Sequence, residues 1–225
     1  PGRVVDWAPM NRSGWSLYDQ NPEAYVRRYE AASFRTLHAA WLDALPDQPG
    51  VALDVGAGSG RDAEALAGLG WEVHAVEPAH RLRRLAALRH PSPRIRWVSD
   101  SLPDLSAVGA SGVRFDLILV SAVWMHVPES SAARPLQQLA ERLRPGGLLV
   151  VTAKSSGATP PQRDVPEGEL VRLGRDHGLD LVVHETGRRD QEARSEVTWT
   201  ITALRLPDDG TSTGPETAKA QGSTA

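Results

Sequence analysis

The chain has 225 residues, of which 40% are hydrophobic, and its formal net charge at pH 7 is −3. This composition supports a buried core, and the weak negative charge gives no general attraction to nucleic acids or anionic membranes. The absence of cysteine excludes disulfides, thiolate metal ligands and cysteine nucleophiles.

The amino-terminal segment PGRVVDWAPMNRSGW has no apolar stretch of the kind found in secretory signal peptides. No uninterrupted apolar run approaches the roughly 18–20 residues that span a bilayer. We therefore expect a cytoplasmic protein that acts without a membrane. Residues 1–20 combine turn formers with two tryptophans and predict an irregular arm.

A helical pattern begins after Asn21, a good N-cap, with Pro22 in the first turn, and it predicts one helix over 21–45. Short apolar runs then alternate with helical stretches. Strands are predicted at 51–55, 71–76, 94–98, 115–120 and 146–154, with helices at 61–69, 79–89 and 130–143 between them. Apolar strands separated by helices indicate a mostly parallel sheet that is covered on both faces.

One more helix is predicted near 166–178, followed by two strands within 179–206 that only a loop separates. So short a link predicts an antiparallel pair at one sheet edge. Residues 207–225 are polar, lack an apolar period and are predicted to be disordered. The elements predict one α/β domain over 21–206 with a ligand-binding core at 51–154. We expect a Rossmann-like three-layer sandwich of about seven strands, mostly parallel with an antiparallel C-terminal strand.

The stretch LDVGAGSGRDA, residues 53–63, places a glycine-rich turn between a predicted strand and a predicted helix. In a parallel sheet such a turn lies beyond the carboxyl ends of the strands, where ligands bind. Gly56, Gly58 and Gly60 permit positive φ and let a ligand lie against the backbone. A dinucleotide site requires G-x-G-x-x-G, but Arg61 stands where the third glycine belongs. Asp54 would repel a pyrophosphate and suits a ligand that carries an ammonium group.

Two further acids follow predicted strands. Glu77 comes after the second strand, where a carboxylate can accept hydrogen bonds from both hydroxyls of a ribose. Asp100 comes after the third strand in SDSLPDL, a segment in which Asp104 is a competing candidate. The pattern predicts that these acids and the glycine turn share one edge of the sheet.

Taken in order, DVGAGSG, VEPAHRL, VSDSLPDL, FDLILVSAVWMHV and ERLRPGGLLVVT resemble the motifs of the class I S-adenosylmethionine-dependent methyltransferases over residues 51–152. The resemblance implies S-adenosylmethionine as the cofactor, with Glu77 on its ribose and Asp100 on its adenine amino group. Tyr25, Arg28 and Arg61 are expected near the methionine carboxylate, and the alternatives are packing for the tyrosine and solvent exposure for the arginines. The residues expected to bind the cofactor are Tyr25, Arg28, Asp54, Gly56, Ala57, Gly58, Gly60, Arg61, Glu77, Pro78, Asp100, Ser101, Leu102 and Ser121.

Methyl transfer from a sulfonium needs an aligned acceptor and exclusion of water, and it needs a general base only when the acceptor must lose a proton. His126 follows the strand that lies beneath the transferred methyl in the family and is the candidate base, with packing as the alternative. The segment SAVWMH lacks the N/D-P-P-Y type motif of the family's adenine and cytosine amino-methyltransferases, which disfavours a nucleic-acid substrate. No convergent set of metal ligands is visible, and no metal is predicted.

The predicted function is methyl transfer from S-adenosylmethionine to an oxygen or nitrogen atom of a small molecule. Two alternatives stay open: a non-catalytic cofactor-binding sensor or partner subunit, and methylation of a peptide or protein. The basic run HRLRRLAALRH at 80–90 predicts a helix whose arginines face solvent rather than a nucleic-acid surface. The sequence leaves the oligomeric state open.

Overall fold

The computed structural model describes residues 12–190 and 196–208. It forms one sheet from β1 (Val51–Val55), β2 (Glu72–Val76), β3 (Ile95–Val98), β4 (Phe115–Ser121), β5 (Leu143–Ser156), β6 (Asp180–Arg189) and β7 (Thr198–Arg205). The spatial order is β3-β2-β1-β4-β5-β7-β6. The first five strands in this order are parallel, and β7 runs antiparallel between β5 and β6. The predicted mixed sheet and its antiparallel end are confirmed.

Eight α-helices are described. They are α1 (Arg12–Gln20), α2 (Pro22–Tyr29), α3 (Phe34–His38), α4 (Arg61–Gly68), α5 (His80–Arg89), α6 (Ser106–Ala110), α7 (Ala133–Ala140) and α8 (Glu169–Asp176). Short 3₁₀ helices are also present, among them Leu42–Ala44 and Trp124–His126.

The central strands are buried on both faces because alternate side chains enter two separate apolar clusters. In β4, Ile118 and Val120 pack with side chains of α7 and α8, whereas Leu117 and Leu119 pack with those of α3 and α4. Near-continuous apolar sequence in β1 and β4 follows from this two-sided burial. The result is the predicted three-layer sandwich.

Two predictions for the amino-terminal region were wrong. Residues 12–20 form α1 rather than an irregular arm, while residues 1–11 lie outside the described part of the chain. The single helix predicted over 21–45 is divided into α2, α3 and a 3₁₀ turn. Asn21 caps α2 by accepting a hydrogen bond from the Ala24 N–H at 3.2 Å, as predicted. Ser33 then begins a new helix because its hydroxyl accepts from the Thr36 N–H at 3.1 Å.

At the carboxyl-terminal side, β5 begins at Leu143 rather than at residue 146. Leu143 pairs with Phe115 before an irregularity in the ladder, so the strand includes the segment 144–145 that was predicted to precede it. The predicted disordered tail at 207–225 falls almost entirely outside the described residues.

Candidate active site

The glycine turn lies at the carboxyl ends of β1 and β2, beside the point where the strand order reverses between β1 and β4. Gly56, Gly58 and Gly60 have φ values of 73°, 55° and 84°. A Cβ at Gly56 would lie 2.4 Å from Val123 Cγ2, and one at Gly60 would lie 2.9 Å from the ring of Trp97. Both the left-handed backbone and the close packing therefore require glycine at these two positions.

Gly58 differs from its neighbours because a Cβ there would meet only the ring of Tyr29, at 3.4 Å, and the backbone oxygen of Gly56. Its N–H donates to Glu77 Oε2 at 3.0 Å, and the Ala79 N–H donates to Glu77 Oε1 at 2.8 Å. The buried Glu77 carboxylate thus ties the glycine turn to the end of β2. Each of its oxygens keeps a further lone pair for a ligand hydroxyl.

Burial raises the pKa of the Glu77 carboxyl to about 7, although the N–H groups of Ala79 and Gly58 act in the opposite direction. Pro78, the next residue, is partly buried, and its carbonyl oxygen accepts a hydrogen bond from Arg83. A ligand that donates hydrogen bonds to the ionised form of this carboxyl group would stabilise that form and lower its pKa.

Asp54 is a buried carboxylate near the end of β1, with 1% of its surface exposed. The Ala63 N–H hydrogen-bonds to the side chain, but Oδ2 has no partner within the described residues. Burial, followed by the negative charge of Asp62, raises the pKa of Asp54 well above its usual range. An unpartnered buried carboxylate oxygen is costly and fits a ligand that brings an ammonium group.

The three tyrosines of the chain gather over this edge of the sheet. The ring centroids of Tyr18 and Tyr25 are 4.7 Å apart, and those of Tyr25 and Tyr29 are 5.8 Å apart. Burial raises the pKa of both Tyr18 and Tyr29, and Glu77 is close enough to add to each shift. We call Tyr18, Tyr25 and Tyr29 the tyrosine cover.

Polar contacts fasten α1 and the end of α2, which carry the tyrosine cover, to α5. Asp19 accepts the Arg81 N–H at 2.7 Å and thereby caps α5 from outside, and Glu30 accepts from Arg89 Nη2 at 2.6 Å. Arg81 and Arg84 are exposed, as predicted for a helix with solvent-facing arginines. The contacts of Arg81 with Asp19 and of Arg89 with Glu30 were not predicted from the basic run.

Three of the residues predicted to bind the cofactor lie in or beside the tyrosine cover. Tyr25 packs beside the small cluster of Val26, Ala79 and Leu82, while Arg28 is exposed. Arg61 donates to both oxygens of Asp62 and to the carbonyl oxygen of Tyr29. Their predicted contacts with a ligand carboxylate stay predictions. The sequence analysis did not predict a place at the site for Tyr18 or Tyr29. The signal available in the sequence was that all three tyrosines fall between residues 18 and 29.

Asp100 lies in the loop that follows β3. Its Oδ1 accepts the Ser101 N–H at 2.9 Å, and its Oδ2 accepts the N–H groups of Ala107 and Val108 at 2.8 and 3.0 Å. The carboxylate therefore organises the loop and the first turn of α6, with Leu102 buried beside it. Asp104, the competing candidate, is ion-paired with Arg134 on α7. A contact of Asp100 with adenine stays a prediction.

The carboxyl ends of β4 and β5 carry a second group of polar residues. Ser121 ends β4, and Ala122 follows with a φ of 57°, an unfavourable conformation for a residue with a Cβ. Such strain is found most often where a side chain or backbone has a functional position. The Ala122 N–H is held by the Thr152 carbonyl at 3.0 Å.

His126 ends the 3₁₀ helix after β4, and Gln162 contacts it from the loop after β5. Gln162 Nε2 lies 3.3 Å from His126 Nε2, and Gln162 Oε1 accepts from Lys154 Nζ at 2.7 Å. An ammonium group only donates, so the amide nitrogen of Gln162 must face the histidine, whose Nε2 then accepts. The ring proton is on Nδ1, which is buried without a partner in the described residues. We call His126, Lys154 and Gln162 the acceptor-side cluster.

Burial, followed by the charge of Lys154, lowers the pKa of His126, so the imidazole is neutral at pH 7.

Neither Lys154 nor Gln162 was expected from sequence, because no motif marks them and only the fold brings them to His126. A surface depression of about 370 Å³ lies far from this site, at the opposite ends of the parallel strands beside Arg114, His177 and Leu206. Its position gives it no part in the chemistry considered below.

Within the described ranges, no helix is both long and apolar enough to cross a lipid bilayer. Over the same ranges, no three His, Asp or Glu side chains are grouped so that they could hold a metal ion.

Comparison with known proteins gives a consistent result. A family model described as a methyltransferase domain matches residues 25–192. A ubiquinone biosynthesis O-methyltransferase of Cereibacter sphaeroides is 31% identical over 213 residues, which cover 81% of this chain and 83% of that protein. The chain therefore belongs to the methyltransferase domain family, and it is an enzyme that uses S-adenosylmethionine.

Solved structures agree on the fold. The 1,6-didemethyltoxoflavin N1-methyltransferase of Burkholderia thailandensis, solved with S-adenosylhomocysteine, has a TM-score of 0.65, is 23% identical and matches over 92% of both chains. The [4+2]-cyclase SpnF has a TM-score of 0.68 at 17% identity, with 89% of this chain and 97% of SpnF covered.

The residues at the glycine turn fit this cofactor. Asp54 has an unpartnered oxygen that would suit the ammonium group, and the two oxygens of Glu77 would suit the ribose hydroxyls. The turn between them presents backbone without a Cβ at Gly58. When bound, S-adenosylmethionine supplies an activated methyl group on a sulfonium, which the protein has to orient and shield from water.

We expect the affinity for S-adenosylmethionine to rise between pH 5.5 and 7.5. If the ribose hydroxyls donate to ionised Glu77, whose pKa in the free protein is about 7, binding at lower pH must first remove a proton. Affinity should then fall by up to about tenfold for each pH unit below that pKa. Calorimetric titration across this range, in buffers of different ionisation enthalpy, measures both the affinity and the protons released. A flat profile without proton release contradicts the prediction.

Proposed function

We propose that this enzyme transfers the methyl group of S-adenosylmethionine to an oxygen or nitrogen atom of a small molecule, and that His126 contacts the acceptor. The observation that carries this proposal is the acceptor-side cluster, in which a neutral histidine with an unpartnered Nδ1 lies at the end of β4. The relative from Cereibacter sphaeroides, named as an O-methyltransferase of ubiquinone biosynthesis, supports a small acceptor.

The sizes of the loops around this cluster also support a small acceptor. The segment between β5 and α8 spans only residues 157–168, and it folds back so that Gln162 meets His126 and the Arg163 N–H reaches the carbonyl of Met125. Such a short loop, held by its own hydrogen bonds, offers little surface for binding a large acceptor. A small acceptor needs only a few polar groups to orient it.

The hydrogen-bond polarity of the cluster defines what His126 can do. Because its Nε2 accepts from Gln162, the imidazole presents Nδ1–H and acts first as a hydrogen-bond donor that orients the acceptor atom. To act as the general base predicted from sequence, it must first move the proton from Nδ1. An acceptor that ionises by itself or carries a free amine lone pair needs no such step.

A label-transfer experiment tests the proposal. Enzyme and S-adenosylmethionine with a labelled methyl group are incubated with separate panels of phenols, small amines and N-heterocycles, and short peptides. Label on a small molecule supports the proposal. Label only on peptides favours the alternative substrate class, and cofactor binding without transfer to any panel favours the non-catalytic alternative.

With an acceptor identified, we expect His126→Ala to lower kcat by about tenfold or more, while the affinity for S-adenosylmethionine stays unchanged. Gln162→Ala should lower kcat less, because it frees Nε2 without removing the ring. Gln137→Ala, an exposed glutamine on α7, is the matched control. The pH profile separates the two roles of His126. Protonation of the ring inactivates a base and gives a falling limb at acid pH, below the normal histidine pKa, whereas a ring that donates from Nδ1–H keeps that proton and gives no such limb. An unchanged kcat in His126→Ala removes the histidine from the proposal.

A further inference from the structure

A buried chain of hydrogen bonds connects α3 to the glycine turn. Trp41 Nε1 donates to His38 Nδ1 at 3.1 Å, and His38 Nε2 lies 3.1 Å from Asp62 Oδ2. Trp41, His38 and Asp62 are 0%, 1% and 5% exposed. Asp62 is in the first turn of α4, directly after the glycine turn.

The direction of each hydrogen bond follows from its donors. An indole N–H only donates, so His38 Nδ1 must accept and the imidazole carries its proton on Nε2, which donates to Asp62. A doubly protonated ring would lose the bond from Trp41. Burial raises the pKa of Asp62, but the hydrogen bond from His38 and the charge and hydrogen bonds of the Arg61 guanidinium act in the opposite direction and hold that pKa below its usual range. Asp62 is therefore an ionised acceptor with a fixed orientation.

Arg61 continues the chain toward the tyrosine cover. Its Nε and Nη2 donate to Asp62 Oδ1 and Oδ2 at 2.7 and 3.0 Å, and its Nη1 donates to the Tyr29 carbonyl oxygen at 2.7 Å. Tyr29 is the last residue of α2, and carbonyls in a last helical turn need partners from outside the helix. One guanidinium thus joins the end of α2 to the start of α4, and the ring of Tyr29 lies against Gly58.

We infer that His38, Asp62 and Arg61 are positioning residues that hold the tyrosine cover over the cofactor, rather than groups that bind the cofactor themselves. His38 fixes the carboxylate of Asp62, the carboxylate orients the guanidinium, and the guanidinium holds the end of α2. The inference goes beyond the proposed function because it concerns the cofactor and does not depend on which acceptor is methylated.

The expected effect is a loss of cofactor affinity without a loss of the chemical step. If the cover is in place in only about a tenth of the molecules, the apparent affinity falls about tenfold, while saturating cofactor restores the rate. We expect this result for His38→Leu, which removes both hydrogen bonds of the ring. His38→Gln is the matched conservative variant, since its amide can accept from Trp41 and donate to Asp62, and it should stay within about threefold of the natural protein.

The choice of ligand separates positioning from direct binding. S-adenosylhomocysteine has the amino-acid carboxylate, and 5′-methylthioadenosine lacks it. If Arg61 positions the cover, Arg61→Gln weakens both ligands by the same factor. If Arg61 binds the carboxylate directly, only S-adenosylhomocysteine is weakened. Arg61 is partly exposed, so this variant tests the inference even if the buried His38→Leu protein does not fold.

A double-mutant cycle and hydrogen exchange complete the test in the full chain. We expect the losses from His38→Leu and Arg61→Gln to be non-additive, because both act through Asp62. Amide exchange over residues 18–30 should become faster in either variant, while β1 and β4 stay protected. The inference is overturned if either variant binds both ligands as the natural protein does, if only S-adenosylhomocysteine is weakened, or if exchange over 18–30 is unchanged.

Discussion

Asp54→Asn is expected to stabilise the protein and at the same time to prevent normal cofactor binding. The carboxylate is buried, its Oδ2 has no partner in the described residues, and its pKa is raised mainly by burial. An amide of the same shape keeps an oxygen for the Ala63 N–H and removes the buried charge, which should add about 1 kcal/mol or more. For a chain of this length that gain corresponds to a rise in Tm of about 2–4 °C.

The same substitution removes the carboxylate that we expect to face the ammonium group of S-adenosylmethionine. A hydrogen bond to a charged group is worth about 1.5–3 kcal/mol, so the affinity should fall at least about tenfold. Calorimetric titration gives the affinity, and thermal unfolding without cofactor gives Tm.

The pH dependence of this stability has a defined sign. An acid whose pKa is raised in the folded state destabilises the fold increasingly as the pH rises from its unfolded-state pKa toward its folded-state pKa, and above the folded-state pKa the effect is constant. The gain from Asp54→Asn should therefore be larger at pH 7 than at pH 4. Asp116→Asn is the matched control, because Asp116 accepts from the Val51 N–H at 2.7 Å and from Arg144 at 2.6 Å. We expect that control to lower Tm and to leave cofactor affinity unchanged. A lower Tm in Asp54→Asn, or unchanged affinity, contradicts the prediction.

Glu77→Gln is expected to lower the affinity for S-adenosylmethionine by about a hundredfold. The two carboxylate oxygens accept the N–H groups of Gly58 and Ala79, but a glutamine has only one side-chain oxygen. One of the two N–H groups would then face an amide nitrogen, which displaces the turn and costs about 1–3 kcal/mol. The cofactor also loses one acceptor for its ribose hydroxyls, and the two effects act together at one site.

The opposite end of β2 supplies the control for this experiment. Glu72 begins the same strand, is exposed and is ion-paired with Arg94. Glu72→Gln should bind S-adenosylhomocysteine as the natural protein does, in calorimetric titrations at pH 8. If Glu77→Gln binds within about threefold of the natural protein, Glu77 is not the ribose ligand, and its role is limited to holding the glycine turn.

Local sequence was sufficient to predict the sheet and the glycine turn. The strands β1, β2 and β4 are apolar and short, the turn has three glycines, and Glu77 directly follows a strand, so each signal lies within a few residues. A parallel sheet then leaves little freedom, because the carboxyl ends of its strands share one edge. The family resemblance added the cofactor, which the residues alone did not name.

Contacts between distant segments could not be predicted in the same way. The hydrogen bond of His38 to Asp62 spans 24 positions, and that of Gln162 to His126 spans 36. Nothing in the local sequence around either histidine predicts its hydrogen-bond partner. The division of 21–45 into separate helices was missed for a different reason: a single serine at position 33 caps a new helix inside a continuous amphipathic pattern.

The strand order also has a consequence for synthesis on the ribosome. β7 is the last of the described strands to emerge, yet it lies between β5 and β6. Until residues 198–205 leave the exit tunnel, β5 lacks its partner on one edge and β6 has no partner in the sheet, and such unpaired edges favour aggregation. The five strands β1 to β5, beside which the predicted cofactor residues lie, precede β7 in the chain and can form earlier. A ligand that binds these strands can then stabilise the chain before β7 has been synthesised.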